Sequence, residues 1–476
     1  MPLKARISPS AFSSQRNYSM EKEISDLVKE QPGDEPDDVL FDKTYGVRTI
    51  ELNRPKKLNS LNGSMARKII PRLKEWEKSQ LANVIIMKGV GRAFCAGGDV
   101  AALANWNRQG KEGQQNSIDY FALEYKLDHL IATYTKPYVA FMDGITMGGG
   151  VGLSVHAPFR IATENTVFAM PETTIGFFPD VGASFFLPKM DGALGTYLAL
   201  TSEQLKGVDV FYQGIATHYI HSSTLPDLES RLAELTFKDY MTDTERYKLI
   251  NATIEEFVSG LPSPRPHISG SLRRAVDHCF APSDISEILS SLAHVKEHEP
   301  ELAGWASKTT ETINTRSPTS VLVSLRQMQL GQRWDIAQTF QKELNIAAHF
   351  MAHHDFVEGV TARLIERKKE RPNWQPNSFE DATPESIDAF FQPAGQTLSL
   401  LEKGEGASYK DYPHAWIGLP REREIMGFVN EGGKNREEVV AYFLQSKDGK
   451  MGVREKVDEV LERLAQVDTD GTLSVP

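Results

Sequence analysis

Two glycine-rich segments contain the first residues whose types and spacing could do chemistry. They are Phe94–Asp99 (FCAGGD) and Gly144–Gly150 (GITMGGG). Each follows a short apolar run that predicts a strand, Val84–Met87 and Tyr138–Met142 respectively. Glycines after a strand let a ligand approach bare backbone N–H groups. Two such turns can direct two N–H donors at one oxygen atom, which is what an oxyanion hole requires.

Two carboxyl side chains follow among apolar residues. Glu172 lies within Met170–Gly176, and Asp180 lies within Phe178–Gly182. Because Glu and Asp are rarely buried without a partner or a purpose, an apolar, glycine-lined cleft would push their pKa values apart for acid–base or nucleophilic work. Taken singly, each carboxylate could equally well cap a helix or form an ion pair.

The apolar pattern predicts strands that alternate with helices up to about residue 190, which indicates α/β layering. Gly46–Leu52 is a further predicted strand. The helical spacing of apolar residues in Ile69–Trp76 and in Ile118–Tyr125 predicts two of the helices. Pro71 should kink or break the first of them.

Proline-rich breaks divide the rest of the chain. Gly260–Pro266 holds three prolines and predicts a linker, and residues 283–371 beyond it have largely helical patterns. A second break at Pro372–Pro393 precedes helical patterns at Arg436–Leu444 and Met451–Val467. The apolar stripes of these C-terminal helical patterns are predicted to be faces that pack against other parts of the protein.

Composition and charge exclude several classes of protein. The 476 residues are 40% hydrophobic, which excludes disorder throughout, and two cysteines exclude a disulfide scaffold. With 53 Lys+Arg against 64 Asp+Glu, the net charge of −11 argues against direct nucleic-acid binding. The longest uncharged stretch, Gly144–Phe159, is too short and too broken to span a membrane.

Residues 1–20 differ in charge from the rest of the chain. They hold Lys4, Arg6 and Arg16, five serines, and no acidic residue before Glu21. This basic, serine-rich start is typical of a mitochondrial transit peptide. We therefore expect a removable targeting segment and a protein of the mitochondrial matrix; a disordered tail is the alternative.

Together, the glycine-rich and carboxyl-bearing segments resemble the crotonase superfamily, whose enzymes act on acyl-coenzyme A thioesters. The resemblance runs from about Gly46 to about Ala216 and implies an α/β fold with a ββα spiral core, followed by a helical C-terminal region. It also implies that the backbone N–H groups of Gly98 and Gly149 form the oxyanion hole for the thioester carbonyl.

Within this superfamily the side chains decide the reaction. Hydratases use two glutamates, of which one matches Glu172, whereas the position of the other is Gly152 here. Asp180 stands where hydratases usually have glycine. This combination resembles the 3-hydroxyisobutyryl-coenzyme A hydrolases, which are thioesterases of valine breakdown. Longer strings agree with that branch, namely Gly144–His156, Phe168–Thr173, Gly214–Ile220, Ser317–Ser320 and His354–Val360.

The resemblance to the hydrolases covers roughly residues 40–380. It implies a spiral core over residues 40–260 and a helical C-terminal part of the same domain over residues 261–380. Residues 385–476 form a mostly helical extension that has no counterpart in the compact members, so the resemblance assigns it no role.

The resemblance also implies a mechanism of thioester hydrolysis. Gly98 and Gly149 polarise the carbonyl, and Glu172 attacks it or activates water. Asp180 orients the substrate hydroxyl and helps to protonate the departing thiolate. Glu124 matches a substrate-contacting glutamate, although it could equally be a solvated helix charge. No separate cofactor is expected, since coenzyme A is part of the substrate.

Basic residues are expected where the phosphates of coenzyme A enter. Arg54, Lys56 and Lys57 follow the first strand and are candidates, although exposed lysines are common. By analogy with the family, Ala96 and Asp99 are expected to meet the adenine through backbone atoms.

A histidine cluster later in the chain does not predict a metal site. His349, His353 and His354 stand near Asp355, but Phe350 occupies the place where a zinc-protease motif needs glutamate. We therefore expect structural or near-site polar groups there and no metal ligands.

Two other functions stay open. Hydration or isomerisation is disfavoured by Gly152. Some mitochondrial small ribosomal subunits contain a protein of this family, so the chain could be a ribosomal component with or without activity, docked through residues 385–476. The oligomeric state is also open, because crotonases often form trimers or hexamers whereas the hydrolase branch need not.

Overall fold

The computed structural model describes residues 29–475 apart from residues 239, 263, 264, 403 and 405. The predicted targeting segment, residues 1–20, lies outside the described residues. So do residues 263 and 264 of the predicted linker.

Within the described chain, short strands form three sheets. They are β1 (Val39–Thr44), β2 (Val47–Leu52), β3 (Val84–Gly89), β4 (Ala93–Ala96), β5 (Tyr138–Met142), β6 (Ile145–Met147), β7 (Phe159–Ala162), β8 (Val167–Ala169), β9 (Leu205–Lys206), β10 (His218–Tyr219), β11 (Gln466–Val467) and β12 (Leu473–Ser474).

The helices surround the two larger sheets and fill the C-terminal half. They are α1 (Gly63–Lys78), α2 (Val100–Asn107), α3 (Lys111–Ala132), α4 (Gly149–Val155), α5 (Ala183–Phe186), α6 (Leu194–Thr201), α7 (Val208–Tyr212), α8 (Leu225–Ala233), α9 (Asp243–Glu255), α10 (Gly270–Phe280), α11 (Ile285–His298), α12 (Ala303–Thr315), α13 (Pro318–Gly331), α14 (Ile336–Ala352), α15 (His354–Val360), α16 (Pro384–Asp388), α17 (Glu422–Asn430), α18 (Arg436–Ser446) and α19 (Val453–Leu464). No helix of the described chain is long and apolar enough to cross a membrane.

The core is built from repeats of two strands and a helical connection. The larger sheet has the order β1-β2-β3-β5-β7-β10 and the smaller has the order β4-β6-β8-β9. Thus β3, β5 and β7 are parallel neighbours in one sheet, and the strands that follow them, β4, β6 and β8, are parallel neighbours in the other. The chain therefore winds as a spiral that brings the ends of β4, β6 and β8 to one place.

The predicted strands are confirmed as β2, β3 and β5, and the predicted helical region 283–371 contains α11 to α15. Pro71 was expected to kink or break the helix, and the break does not occur, because α1 continues through Pro71. Ile69, Ile70, Leu73 and Trp76 lie on both sides of Pro71 and are buried in the core. Burial of four large side chains offsets the roughly 3 kcal/mol that an internal proline costs.

The predicted extension, residues 385–476, is called the C-terminal segment below. Its described part packs into the hydrophobic core of the spiral. Ile425, Val440, Val457 and Val460 are buried there with residues of the spiral. The segment is thus attached through an extensive apolar contact.

A buried ion-pair network joins the same segment to α10. Arg463 on α19 contacts Glu422 and Glu459, and its Nη1 lies 3.4 Å from Asp277. Arg273 on α10 contacts Glu422 at 3.1 Å and Asp277 at 3.1 Å. The side chain of Arg463 is 1% exposed, so its carboxylate partners depend on it for their counter-charge.

Replacing Arg463 with alanine leaves Glu459 without its arginine partner and leaves Glu422 with Arg273 alone, both in a buried place. We predict that Arg463→Ala lowers the free energy of unfolding by about 3–5 kcal/mol in urea denaturation, as for other broken buried pairs. Arg454→Ala is the matched control, because Arg454 lies on the same helix in an exposed pair with Glu437 and should cost at most about 1 kcal/mol. Equal losses in the two variants would contradict the assignment.

Candidate active site

The two glycine-rich turns face each other because they leave neighbouring parallel strands. Ala96 at the end of β4 pairs with Met147 at the end of β6. A Cβ atom placed on Gly149 would lie 3.4 Å from the backbone nitrogen of Gly98. Within the described chain, neither of these two N–H groups donates a hydrogen bond to another residue. Both are available to an oxygen atom of a bound molecule.

At Gly149 the side chain of Glu124 on α3 comes close to the backbone of the glycine turn. A Cβ atom at this position would collide with Oε1 of Glu124, which projects from α3. Glu124 is 2% exposed, so it lies in the interior beside the glycine turn and not on a solvated helix face. This places its carboxyl group at the predicted oxyanion hole.

Glu172 reaches the same place from the third turn of the spiral. It begins a short 3₁₀ turn, Glu172–Ile175, that follows β8, and β8 is the neighbour of β6. A Cβ atom on Gly148 would lie 3.0 Å from Oε1 of Glu172. Its other oxygen, Oε2, is buried and has no hydrogen-bond partner in the described structure, so it can meet a substrate atom or water.

Asp180 is held by a tyrosine that sequence reasoning assigned only to a packing stripe. The hydroxyl of Tyr125 on α3 donates a hydrogen bond to Oδ2 of Asp180 at 2.7 Å. Both residues are buried. The only signal in the sequence was a phenol in an otherwise apolar stripe, next to Glu124 along the chain.

A cavity of about 270 Å³ brings these groups together. The glycine turns and the carboxyl-bearing side chains of Glu124, Glu172 and Asp180 line it. The rest of the lining is mainly apolar and includes Val100, Phe121, Met147, Ile175, Phe177 and Leu364. The predicted site residues Gly98, Gly149, Glu124, Glu172, Asp180 and Ala96 all contribute to this one cavity.

Burial raises the pKa of each carboxyl group in the cavity. It raises the pKa of Asp180 to about 7, although the Tyr125 hydrogen bond opposes the shift. Burial first, and then the charge of Asp180, raise the pKa of Glu172 and that of Glu124 well above their usual range. Near neutral pH the three groups therefore share protons, so that one can act as an acid while another acts as a base.

A buried carboxyl group fills the space beside Gly152, the position where a hydratase would have its second glutamate. A Cβ atom on Gly152 would lie 2.6 Å from Oδ2 of Asp128 on α3. Asp128 is fully buried, and neither of its carboxyl oxygens has a hydrogen-bond partner among the described residues. A side chain at position 152 would require Asp128 to move.

The residues predicted to meet coenzyme A are divided between two neighbouring spaces, except for Lys56. Nη2 of Arg54 lies 3.1 Å from Asp99 and Nζ of Lys57 lies 3.0 Å from it, and all three line a depression of about 650 Å³ beside Tyr120. Ala96 lines the neighbouring active-site cavity. Lys56 is exposed and lines neither of these two spaces.

The histidine cluster forms part of a polar junction around Asp355. Asp355 accepts hydrogen bonds from the hydroxyl of Ser317 and from the backbone N–H of Gln375. Nε2 of His354 lies 2.9 Å from the backbone oxygen of Asn373. In the part of the chain that the structure describes, no group of three or more His, Cys, Asp or Glu residues could hold a metal ion.

This arrangement suits chemistry at a carbonyl group. Two unpaired N–H donors beside buried carboxyl groups can stabilise an oxyanion while a carboxylate supplies a base or a nucleophile.

Comparison with known proteins shows the family of the chain. Residues 47–391 match the family described as Enoyl-CoA hydratase/isomerase. The chain belongs to this family. Its predicted membership of the crotonase superfamily is thereby confirmed.

Two relatives show the range of names within the crotonase family. The chain is 54% identical over 474 residues, which are 98% of this chain and 92% of the relative, to the small ribosomal subunit protein mS47 of Neurospora crassa. It is 43% identical over 361 residues, which are 75% of this chain and 89% of the relative, to the mitochondrial 3-hydroxyisobutyryl-CoA hydrolase of Gallus gallus. The predicted mitochondrial location agrees with these names.

A solved structure supports the fold. The crystal structure of a carnitinyl-CoA dehydratase from Mycobacterium thermoresistibile superposes with a TM-score of 0.66 at 30% sequence identity. It covers 76% of this chain and 98% of the dehydratase. The predicted crotonase-like α/β fold is confirmed.

The hydrogen bond from Tyr125 should affect the pKa of Asp180. A hydroxyl that donates to an ionised carboxylate lowers its pKa, so Tyr125→Phe should move the titration of Asp180 to higher pH than the value of about 7. The measurement is a pH titration by NMR with ¹³C-labelled aspartate carboxyl groups, in which Asp180→Asn identifies the resonance.

Tyr134→Phe is the matched control, because its buried hydroxyl donates to the backbone oxygen of Leu73 and not to the cavity. It should leave the Asp180 titration unchanged. A titration that stays in place or moves to lower pH in Tyr125→Phe would be the opposite of the expected result.

Proposed function

We propose that this protein hydrolyses a short branched 3-hydroxyacyl-coenzyme A thioester, with 3-hydroxyisobutyryl-CoA as its substrate. The observation that carries the proposal is the joint presence of Gly98, Gly149, Glu172 and Asp180 around one small apolar cavity. The similarity to a relative named 3-hydroxyisobutyryl-CoA hydrolase, at 43% identity, supports the choice of substrate.

The proposed reaction begins at the thioester carbonyl. The N–H groups of Gly98 and Gly149 bind its oxygen and stabilise the negative charge that develops there. Glu172 either attacks the carbonyl carbon to give a mixed anhydride or removes a proton from an attacking water. The carbon–sulfur bond then breaks, and protonated Asp180 donates its proton to the departing thiolate. Where a mixed anhydride has formed, water then hydrolyses it, which releases the hydroxy acid and restores Glu172.

The raised pKa values allow Glu172 and Asp180 to share a proton near neutral pH. A carboxylate whose pKa is raised by burial is a stronger base and nucleophile than one in water. The charge of Asp180 raises the pKa of Glu172, so in the free protein Asp180, with a pKa of about 7, loses its proton before Glu172 does. The proposed roles therefore require the shared proton to lie on Asp180 once the substrate is bound. The shared proton of the pair therefore supports one acid and one base in the same cavity.

The surroundings of Gly152 support hydrolysis over hydration. Adding water across a double bond in the way that hydratases do needs a second glutamate at this position, and Asp128 occupies the space that such a side chain would need. Asp128 itself does not line the cavity. We therefore assign no hydratase activity to the site.

Thiol release from purified protein tests the proposal. Wild type should release coenzyme A from 3-hydroxyisobutyryl-CoA, and Glu172→Gln should lower kcat by about 10²–10⁴-fold, since it removes the base or nucleophile while keeping the shape of the side chain. Glu112→Gln, at the exposed start of α3, is the control and should keep full activity. Near wild-type turnover by Glu172→Gln, or absence of release by wild type, would overturn the proposal.

A second function, as a component of the mitochondrial small ribosomal subunit, is favoured by the extent of one similarity. The relative named mS47 matches 98% of this chain, so the match includes almost all of residues 385–476. The hydrolase relative matches 75%, and the family match ends at residue 391. We propose that the C-terminal segment provides the surface that docks on the ribosome.

Co-sedimentation tests this second function separately from catalysis. The full-length protein from lysed mitochondria should travel with the small ribosomal subunit in a sucrose gradient at moderate salt. Glu172→Gln should co-sediment equally, because the catalytic carboxylate lies in an internal cavity. Recovery of the native protein only in the soluble fractions would refute ribosomal association and leave the hydrolase proposal standing.

A further inference from the structure

A second cavity, of about 100 Å³, lies between the spiral core and the C-terminal segment. The core provides Arg160 from β7 and Lys189 from the turn after α5, and the C-terminal segment provides Tyr412, Arg421 and Lys456. The cavity shares no lining residue with the candidate active site. It is therefore a separate space that exists only when the C-terminal segment is docked.

Three cations of this cavity have no acidic partner. Within the described chain, no carboxylate lies within ion-pair distance of Arg160, Lys189 or Arg421. The acidic residue of the lining is Asp191, and it is already paired with Nζ of Lys456 at 2.9 Å. Nζ of Lys189 donates to the backbone oxygens of Phe185 and Trp334 at 3.2 and 3.5 Å. The lining thus carries three positive charges without a direct carboxylate partner, in a chain whose net charge is −11.

Arg160 is held rigidly in this position. It is 7% exposed, and its Nε and Nη1 donate to the backbone oxygens of Ile215 and Ala157 at 2.5 and 2.6 Å. Nη1 also donates to the hydroxyl of Tyr412 at 3.0 Å. Nη2 donates to no residue of the described chain. A buried guanidinium costs free energy unless a counter-charge accompanies it.

Neighbouring ionisable groups are affected by the same positive charge. Burial and, second, the charge of Arg160 lower the pKa of His414 to about 4. Burial lowers the pKa of Lys189 to about 8, with Asp411 raising it and Arg421 lowering it as the next causes. An anion in the cavity would raise the pKa of Lys189 again and would offset the repulsion between the cations.

We propose that this cavity binds a small tetrahedral oxyanion of the phosphate class, held by Arg160, Lys189 and Arg421. The cavity volume of about 100 Å³ has room for a free phosphate. Because two of the cations belong to the core and one to the C-terminal segment, the anion bridges the two and stabilises the docked arrangement.

Thermal unfolding of the full-length protein with inorganic phosphate tests the site. Phosphate should raise Tm in a saturable way, beyond the effect of sodium chloride at equal ionic strength. Arg421→Gln and Lys189→Gln should each weaken the apparent affinity for phosphate by at least about tenfold, since each removes a charged hydrogen-bond donor. Equal effects of phosphate and chloride on wild type would overturn the proposal.

Two controls separate this site from other cations. Arg454→Gln removes an exposed charge on α19 outside the cavity, and Lys57→Gln removes the charge beside Asp99 near the candidate active site. Both should keep the wild-type response to phosphate. A loss of the response in Lys57→Gln that equals the loss in Arg421→Gln would place phosphate at the active site and contradict the proposal.

Discussion

The close approach of α3 to the glycine-rich turns is the constraint on which the site depends. This helix carries Glu124, Tyr125 and Asp128, and each of them contacts or crowds a different part of the spiral. Glu124 occupies the space beside Gly149, and Asp128 occupies the space beside Gly152. A side chain at either glycine would require Glu124 or Asp128 to move from its place.

Several carboxyl groups are buried where α3 packs against the spiral. Besides the three that line the cavity, Asp128 is fully buried, and so is Glu343 on α14. Glu343 accepts hydrogen bonds from the backbone N–H groups of Gly182 and Ser184 and from the Ser184 hydroxyl, which fix the chain just after Asp180. Carboxyl groups at this density cannot all be ionised, and shared protons are what acid–base chemistry near neutral pH requires.

The sequence was sufficient to predict the spiral core and the residues that meet in the cavity. Gly98, Gly149 and Glu172 belong to short motifs whose residue types and order resemble the superfamily, and Asp180 resembles its hydrolase branch. Tyr125 could not be assigned to Asp180, because the two are 55 residues apart and a tyrosine in an apolar stripe is usually core.

Long-range packing explains the other features that the sequence did not reveal. Helix α1 continues through Pro71 because the burial of apolar side chains on both sides of Pro71 outweighs the tendency of proline to end a helix. The cavity at the C-terminal segment is built from residues such as Arg160 and Tyr412, which are 252 positions apart. Neither local spacing nor composition contains information about such a contact. In the structure, the ion pairs and the apolar stripe of α19 attach the C-terminal segment to the spiral core.

The central claim is that two backbone N–H groups polarise a thioester carbonyl in the cavity. The most direct measurement is the infrared carbonyl frequency of 3-hydroxyisobutyryl-CoA, labelled with ¹³C at the thioester carbon and bound to the Glu172→Gln variant. Hydrogen bonds from Gly98 and Gly149 should shift this band to lower frequency than in free solution. A bound substrate whose carbonyl band stays at the solution frequency would contradict the account.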